Sequence, residues 1–81
     1  FVYINSGAKI GKNCIINNRT LIEHDAVIED HCHISTGAII NGDCKIGSGT
    51  FVGSGSVLLN NIKIRKNSFI KMGTILKKSK L

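Results

Sequence analysis

Ala26-Val27-Ile28, Cys32-His33-Ile34, Ala38-Ile39-Ile40 and Cys44-Lys45-Ile46 repeat one three-residue word, small–variable–isoleucine, at intervals of six. The word extends in both directions. Thirteen aliphatic residues keep the interval without a gap: Ile4, Ile10, Ile16, Ile22, Ile28, Ile34, Ile40, Ile46, Val52, Leu58, Ile64, Ile70 and Leu76. A fixed six-residue period along a whole chain predicts an all-β stacked solenoid, a parallel β-helix.

The residue two before each aliphatic is small in eleven of thirteen hexads, Val2 and Ile62 being the exceptions. In a strand these two positions point to the same side, so a large residue alternates with a small one across a narrow interior. Three before the aliphatic, ten of twelve residues are Gly, Asn or Asp, with Arg19 and His31 departing. Those residue types tolerate positive φ at a sharp corner. Each hexad therefore reads as a short strand followed by a corner.

The residue just before each aliphatic faces outward, and its chemistry counts the sides. Sorted by eighteen, one column is Tyr3, Leu21, Ile39, Val57 and Ile75; a second is Ile15, His33, Phe51 and Phe69; a third is Lys9, Val27, Lys45 and Lys63. Lysines gather in one column only, which predicts three sides of six residues. Thirteen hexads then make a little over four coils, stacked about 4.8 Å apart.

The 81 residues are expected to form a single domain, residues 1–81. A domain of that size buries only about 60% of its unfolded surface. Two apolar outer faces are more than a soluble monomer leaves bare. A homotrimer in which each prism offers one apolar face to each neighbour covers both, with the lysine face outward. Cys14, Cys32 and Cys44 all fall in the inward small column, as packing residues and not a disulfide framework. With no signal-peptide pattern and no membrane-spanning run, the expected setting is the cytoplasm, with no membrane partner. The strand already under way at Phe1 suggests a fragment or a processed product.

The net charge of +6 is uneven: all five acids lie between 23 and 43, and seven of eleven bases lie beyond 60. The basic end reads as a polar cap that keeps a solenoid end soluble, or as a field attracting a polyanionic cofactor such as coenzyme A. Nucleic acid is not expected, because aromatic residues do not interleave with the bases.

Chemistry concentrates between Ile22 and Ser35. His24 stands at the corner ending the Leu21 face, with Asp25 beside it to orient the imidazole. His33 stands on the other apolar face. In a three-fold trimer one such face meets the other on the next subunit, so His24 and His33 of neighbouring chains approach across a cleft. A half-buried imidazole there can serve as general base. Gly42 lies one coil above His24. It either leaves open the space over the ring and brings a main-chain N–H to a ligand, or serves only its own corner. His31 is expected to face solvent. Alternation turns Cys32 inward between two outward histidines, so His31, Cys32 and His33 cannot share one ion, and no metal is expected.

The hexads throughout, and Glu23-His24-Asp25 followed nine residues later by His33-Ile34-Ser35, resemble the hexapeptide-repeat acyltransferases. Within them, the match is to the sugar acetyltransferases related to sialic acid O-acetyltransferases and nucleotide-4-amino-sugar N-acetyltransferases. The resemblance implies a single-stranded left-handed β-helix, although crossovers between parallel strands are ordinarily right-handed. It implies acetyl-CoA as co-substrate and a sugar or nucleotide-sugar acceptor acylated on an amine or hydroxyl. By position it makes His24 the general base and Asp25 the acid that tunes it. His33 becomes a contact to acetyl-CoA near its thioester, and Gly42 the N–H donor to the developing oxyanion. Ser54 and Met72 become linings of the pantetheine arm. The chain departs from the family at Lys71 and Met72, where small residues are usual, and it lacks the family's N-terminal Rossmann-like subdomain. A γ-class carbonic anhydrase has the same fold but needs three zinc histidines on distant coils, and this chain has no His beyond 33. The alternative to an enzyme is a non-catalytic trimeric scaffold.

Overall fold

The computed structural model describes residues 1–81. Thirteen strands of two residues each, one per hexad, pair only in parallel and build three flat sheets. The first sheet stacks β1 (Tyr3–Ile4), β4 (Leu21–Ile22), β7 (Ile39–Ile40), β10 (Val57–Leu58) and β13 (Ile75–Leu76). The second stacks β2 (Lys9–Ile10), β5 (Val27–Ile28), β8 (Lys45–Ile46) and β11 (Lys63–Ile64). The third stacks β3 (Ile15–Ile16), β6 (His33–Ile34), β9 (Phe51–Val52) and β12 (Phe69–Ile70). Three strands per coil give a little over four coils, an all-β parallel solenoid consistent with a left-handed β-helix. Leu21 pairs with Ile39, Lys45 with Lys63 and His33 with Phe51, so the three outward columns are the three sheets.

The strands are short because every sixth residue must turn. All twelve corner positions have positive φ, including Arg19 at 61° and His31 at 59°. The slot imposes the conformation even where the side chain does not favour it.

Ile22, Ile28, Ile34, Ile40, Ile46, Val52 and Leu58 are almost wholly buried. Each contributes about 1.5–3 kcal/mol of burial. The small inward column does more than make room. Cys14, Thr20, Cys32, Cys44, Thr50 and Ser56 each donate from sulfur or oxygen to the carbonyl fifteen residues on, at 3.0–3.3 Å. A thiol or hydroxyl in this column thus supplies a donor to a corner carbonyl of the next coil, alone at Glu29, Gly47 and Leu59 and alongside other donors at Ser35, Arg65 and Lys71. The cysteines are free thiols. Burial pushes Cys32 and Cys44 above the ordinary thiol value of 9.0, because a thiolate there would be desolvated.

Beyond β13 the tail turns over the second sheet. Lys80 bridges Ile64, its N–H donates to the Lys63 carbonyl at 2.8 Å, and the Arg65 N–H donates to its carbonyl at 2.7 Å. Lys80 lies sixteen residues after Ile64 where the ladder elsewhere uses eighteen, so this last turn is short by two. No helix is long and apolar enough to cross a membrane.

Candidate active site

The corner leaving β4 carries Glu23-His24-Asp25, and the corner leaving β7, one coil above, carries Asn41-Gly42-Asp43. The Asp43 N–H donates to the His24 carbonyl at 3.0 Å, which holds the two corners in register. His24 Nδ1 lies 3.3 Å from Asp25 Oδ2. A carboxylate only accepts, so Nδ1 carries the proton and Nε2 presents its lone pair. Both side chains are open to solvent, at 51% and 63% exposure.

Gly42 is required by the imidazole and not by its own turn. The positive φ of this corner belongs to Asp43, at 61°, and Gly42 is absent from the positive-φ residues. A Cβ added at Gly42 would run into His24 Nε2 and lie 2.6 Å from Cε1. Glycine therefore lets the nitrogen end of the ring lie directly against this corner, with Gly42 buried beneath it. Its N–H has no acceptor within the chain. An unpaired main-chain donor and an imidazole nitrogen thus belong to adjoining residues of the stack, the two kinds of group that proton removal beside an incipient oxyanion uses.

Asp43, not singled out from the sequence, completes the cluster. His24, Asp25 and Asp43 each offer one ligand atom within 4.8 Å of the others, all on exposed residues. The signal was available in the eighteen-residue stack, since Asp43 is the residue directly above Asp25.

The other predicted residues stand elsewhere on the chain. His33 lies on the third sheet, half-buried, edge-on to Phe51 with ring centroids 5.1 Å apart. Phe51 in turn stacks on Phe69 at 5.1 Å. His33 Nε2 is buried and has no hydrogen-bond partner within the chain, an arrangement that costs about 1–3 kcal/mol unless something outside the chain supplies one. Ser54 and Met72 stack one above the other on the corner between the third and first sheets. Ser54 Oγ lies 2.9 Å from Ser35 Oγ, and Met72 is 69% exposed. The width of the first sheet separates this corner from His24. A single chain therefore brings together His24, Asp25 and Gly42, but not His33, Ser54 or Met72.

The vicinal histidines diverge around Cys32. That residue is buried with its thiol donating to the Gly47 carbonyl, whereas His31 is exposed with Nδ1 3.1 Å from Asn13 Nδ2. The chain's one hollow, about 370 Å³, is shallow and lies on the second sheet among Lys9, Val27, Glu29, Asp30 and Ser48. It does not reach His24, which in one chain stands on an exposed corner.

The family model described as bacterial transferase hexapeptide (six repeats) matches residues 7–42 and 25–60. The model described as hexapeptide repeat of succinyl-transferase matches residues 44–78. No curated protein matches the chain.

Proposed function

This chain belongs to the bacterial hexapeptide-repeat transferases, and we propose that it is an acetyl-CoA-dependent acetyltransferase acting on a sugar or nucleotide-sugar. The family points to acyl transfer. Acetyl-CoA, the sugar and the trimer are our reading. The observation that carries it is the seat of His24 against Gly42, which only a residue without a Cβ allows, with the ring oriented by Asp25 through Nδ1. His24 takes a proton from the acceptor amine or hydroxyl as that group attacks the thioester carbonyl. The carbon–sulfur bond breaks, and the imidazolium returns the proton to the departing sulfur. The Gly42 N–H is the donor available to the developing oxyanion. Asp25 holds the ring and stabilises its charged form. Bound acetyl-CoA supplies the activated acyl group, so no acyl-enzyme and no protein nucleophile is required.

His33, Gly42, Ser54 and Met72 are the residues that would hold the co-substrate. The orphaned Nε2 of His33 fits a position waiting for a partner from outside the chain. The exposed apolar residues of the first and third sheets, among them Tyr3, Ile75, Ile15 and Phe69 at 54–65% exposure, fit a second copy laid against each. A homotrimer brings His33 of one chain toward His24 of the next and covers that exposed corner.

His24→Ala is expected to lower turnover about 10²-fold or more while leaving the affinity for acetyl-CoA nearly intact. Isothermal titration with acetyl-CoA and a steady-state assay of thiol release measure the two separately. Unchanged turnover excludes His24 as the base. A well-folded trimer that binds no acetyl-CoA is a scaffold.

A further inference from the structure

We propose that Asp43 selects a cationic amine over a hydroxyl as acceptor, an inference that rests on His24 as the base of an acetyltransferase. Four of the five acids are engaged within the chain. Glu23 accepts from Asn5 Nδ2 at 2.8 Å, and Asp25 faces His24 Nδ1. Glu29 accepts from the Ser48 N–H at 3.2 Å and pairs with Lys45 at 3.6 Å, and Asp30 accepts from the Lys12 N–H at 2.7 Å. Asp43 has neither a cation nor a hydrogen-bond donor for its carboxylate, and it brings a carboxylate oxygen within 4.8 Å of a His24 ring nitrogen.

The turn does not require that charge. Asn fills the same positive-φ slot at Asn13, Asn61 and Asn67. Asp43 also sits directly above Asp25, and like charges stacked on neighbouring strands repel. A carboxylate that the corner does not need, set against a second one and beside a lone pair, marks a place for an incoming positive charge. The occupant must also have a proton to give to His24 Nε2. A primary ammonium does both, whereas a hydroxyl gains nothing from the charge.

The transfer balances as R–NH₃⁺ plus acetyl thioester giving R–NH–acetyl, free thiol and H⁺. The nitrogen–carbon bond forms and the carbon–sulfur bond breaks. Of the two protons that nitrogen loses, one ends on sulfur and the other in water.

The test compares the wild-type chain with Asp43→Asn on matched pairs of amino sugar and parent sugar, glucosamine with glucose and the 4-amino-4-deoxy analogue with its 4-hydroxy parent. Thiol release from acetyl-CoA is the readout. The expected result is a wild-type preference for the amine. Asp43→Asn should raise KM for the amine about two- to fivefold, the range of one exposed ion pair, and leave KM for the hydroxyl sugar and for acetyl-CoA unchanged. Added salt should raise the wild-type KM for the amine alone. Glu29→Gln, on a different corner, should change nothing. An unchanged amine KM in Asp43→Asn, or a wild-type preference for the hydroxyl, overturns the role of Asp43 and leaves the acetyltransferase standing. Wild-type activity abolished by EDTA and restored by Zn²⁺ assigns the cluster to a metal ion and overturns it too. Thiol release with neither member of any pair removes the acetyltransferase reading, and this inference with it.

Discussion

Gly42 and His24 share one small volume, and only a residue without a Cβ lets both stay where they are. The added carbon of Gly42→Ala meets the far end of a half-exposed ring, which can swing away at little cost. The variant should fold within about 1 kcal/mol of wild type yet lose about 10²-fold or more in turnover, because the lone pair no longer faces the acceptor. A melting curve beside a thiol-release assay distinguishes this from simple misfolding. Arg19 presents the opposite case, a residue carrying strain for no partner in sight. With φ at 61°, Arg19→Asn should raise stability by about 0.5–1 kcal/mol, read as a higher denaturant midpoint. The buried thiols set an alkaline limit. Cys32 and Cys44 titrate above 9.0 in the fold, so once pH passes the unfolded thiol value the unfolded chain holds fewer protons than the native one. Stability is then lost with rising pH until the folded values are passed. Cys32→Ala and Cys44→Ala should each flatten that decline in melts above pH 9, and an unaltered slope would assign it to other groups.

At the level of strands and corners, most of the architecture was legible because a period of six leaves few alternatives. The corner slot could be recognised through its ten typical members, and it holds at Arg19 and His31 as well. The grouping of Lys9, Lys45 and Lys63 on one face likewise identified the second sheet. Three things escaped that reading. Lys80 pairs with Ile64 across sixteen residues, which no eighteen-residue template anticipates. That His33 Nε2 is buried without a partner is set by side-chain rotamers and not by spacing. The fifteen-residue donors cross from one strand to the corner of another and are invisible to a column sorted by eighteen. The glycines also divide by what lies above them. A Cβ at Gly53 would come within 2.6 Å of Met72 Cα and 2.8 Å of the Ile70 carbonyl oxygen. Backbone cannot swing aside as a histidine can. Gly53→Ala should therefore destabilise by about 1–3 kcal/mol, the reverse of the Gly42→Ala outcome, and chemical denaturation of the two variants side by side tests the contrast.

For the whole molecule, the charged second sheet and the two apolar ones predict a mass in solution of three times 8.7 kDa. Phe69, 65% exposed on the third sheet, is the side chain to perturb. Phe69→Asp should shift sedimentation equilibrium toward monomer and lose activity together, since the proposed site is completed by His33 of a neighbouring chain. A wild-type chain that sediments as a monomer would remove the trimer from the proposal. The eighteen-residue interval between paired strands also governs how such a chain acquires its shape. Leu21 has no strand partner nearer in sequence than Tyr3 or Ile39, so no hairpin can form early as a seed. The slow event is closing the first full loop, and loop closure of that length costs entropy before any ladder bond repays it. After that, each new strand is laid on a finished template. Growth becomes a zipper, and synthesis in the N-to-C direction would present each strand only after the one it must lie upon.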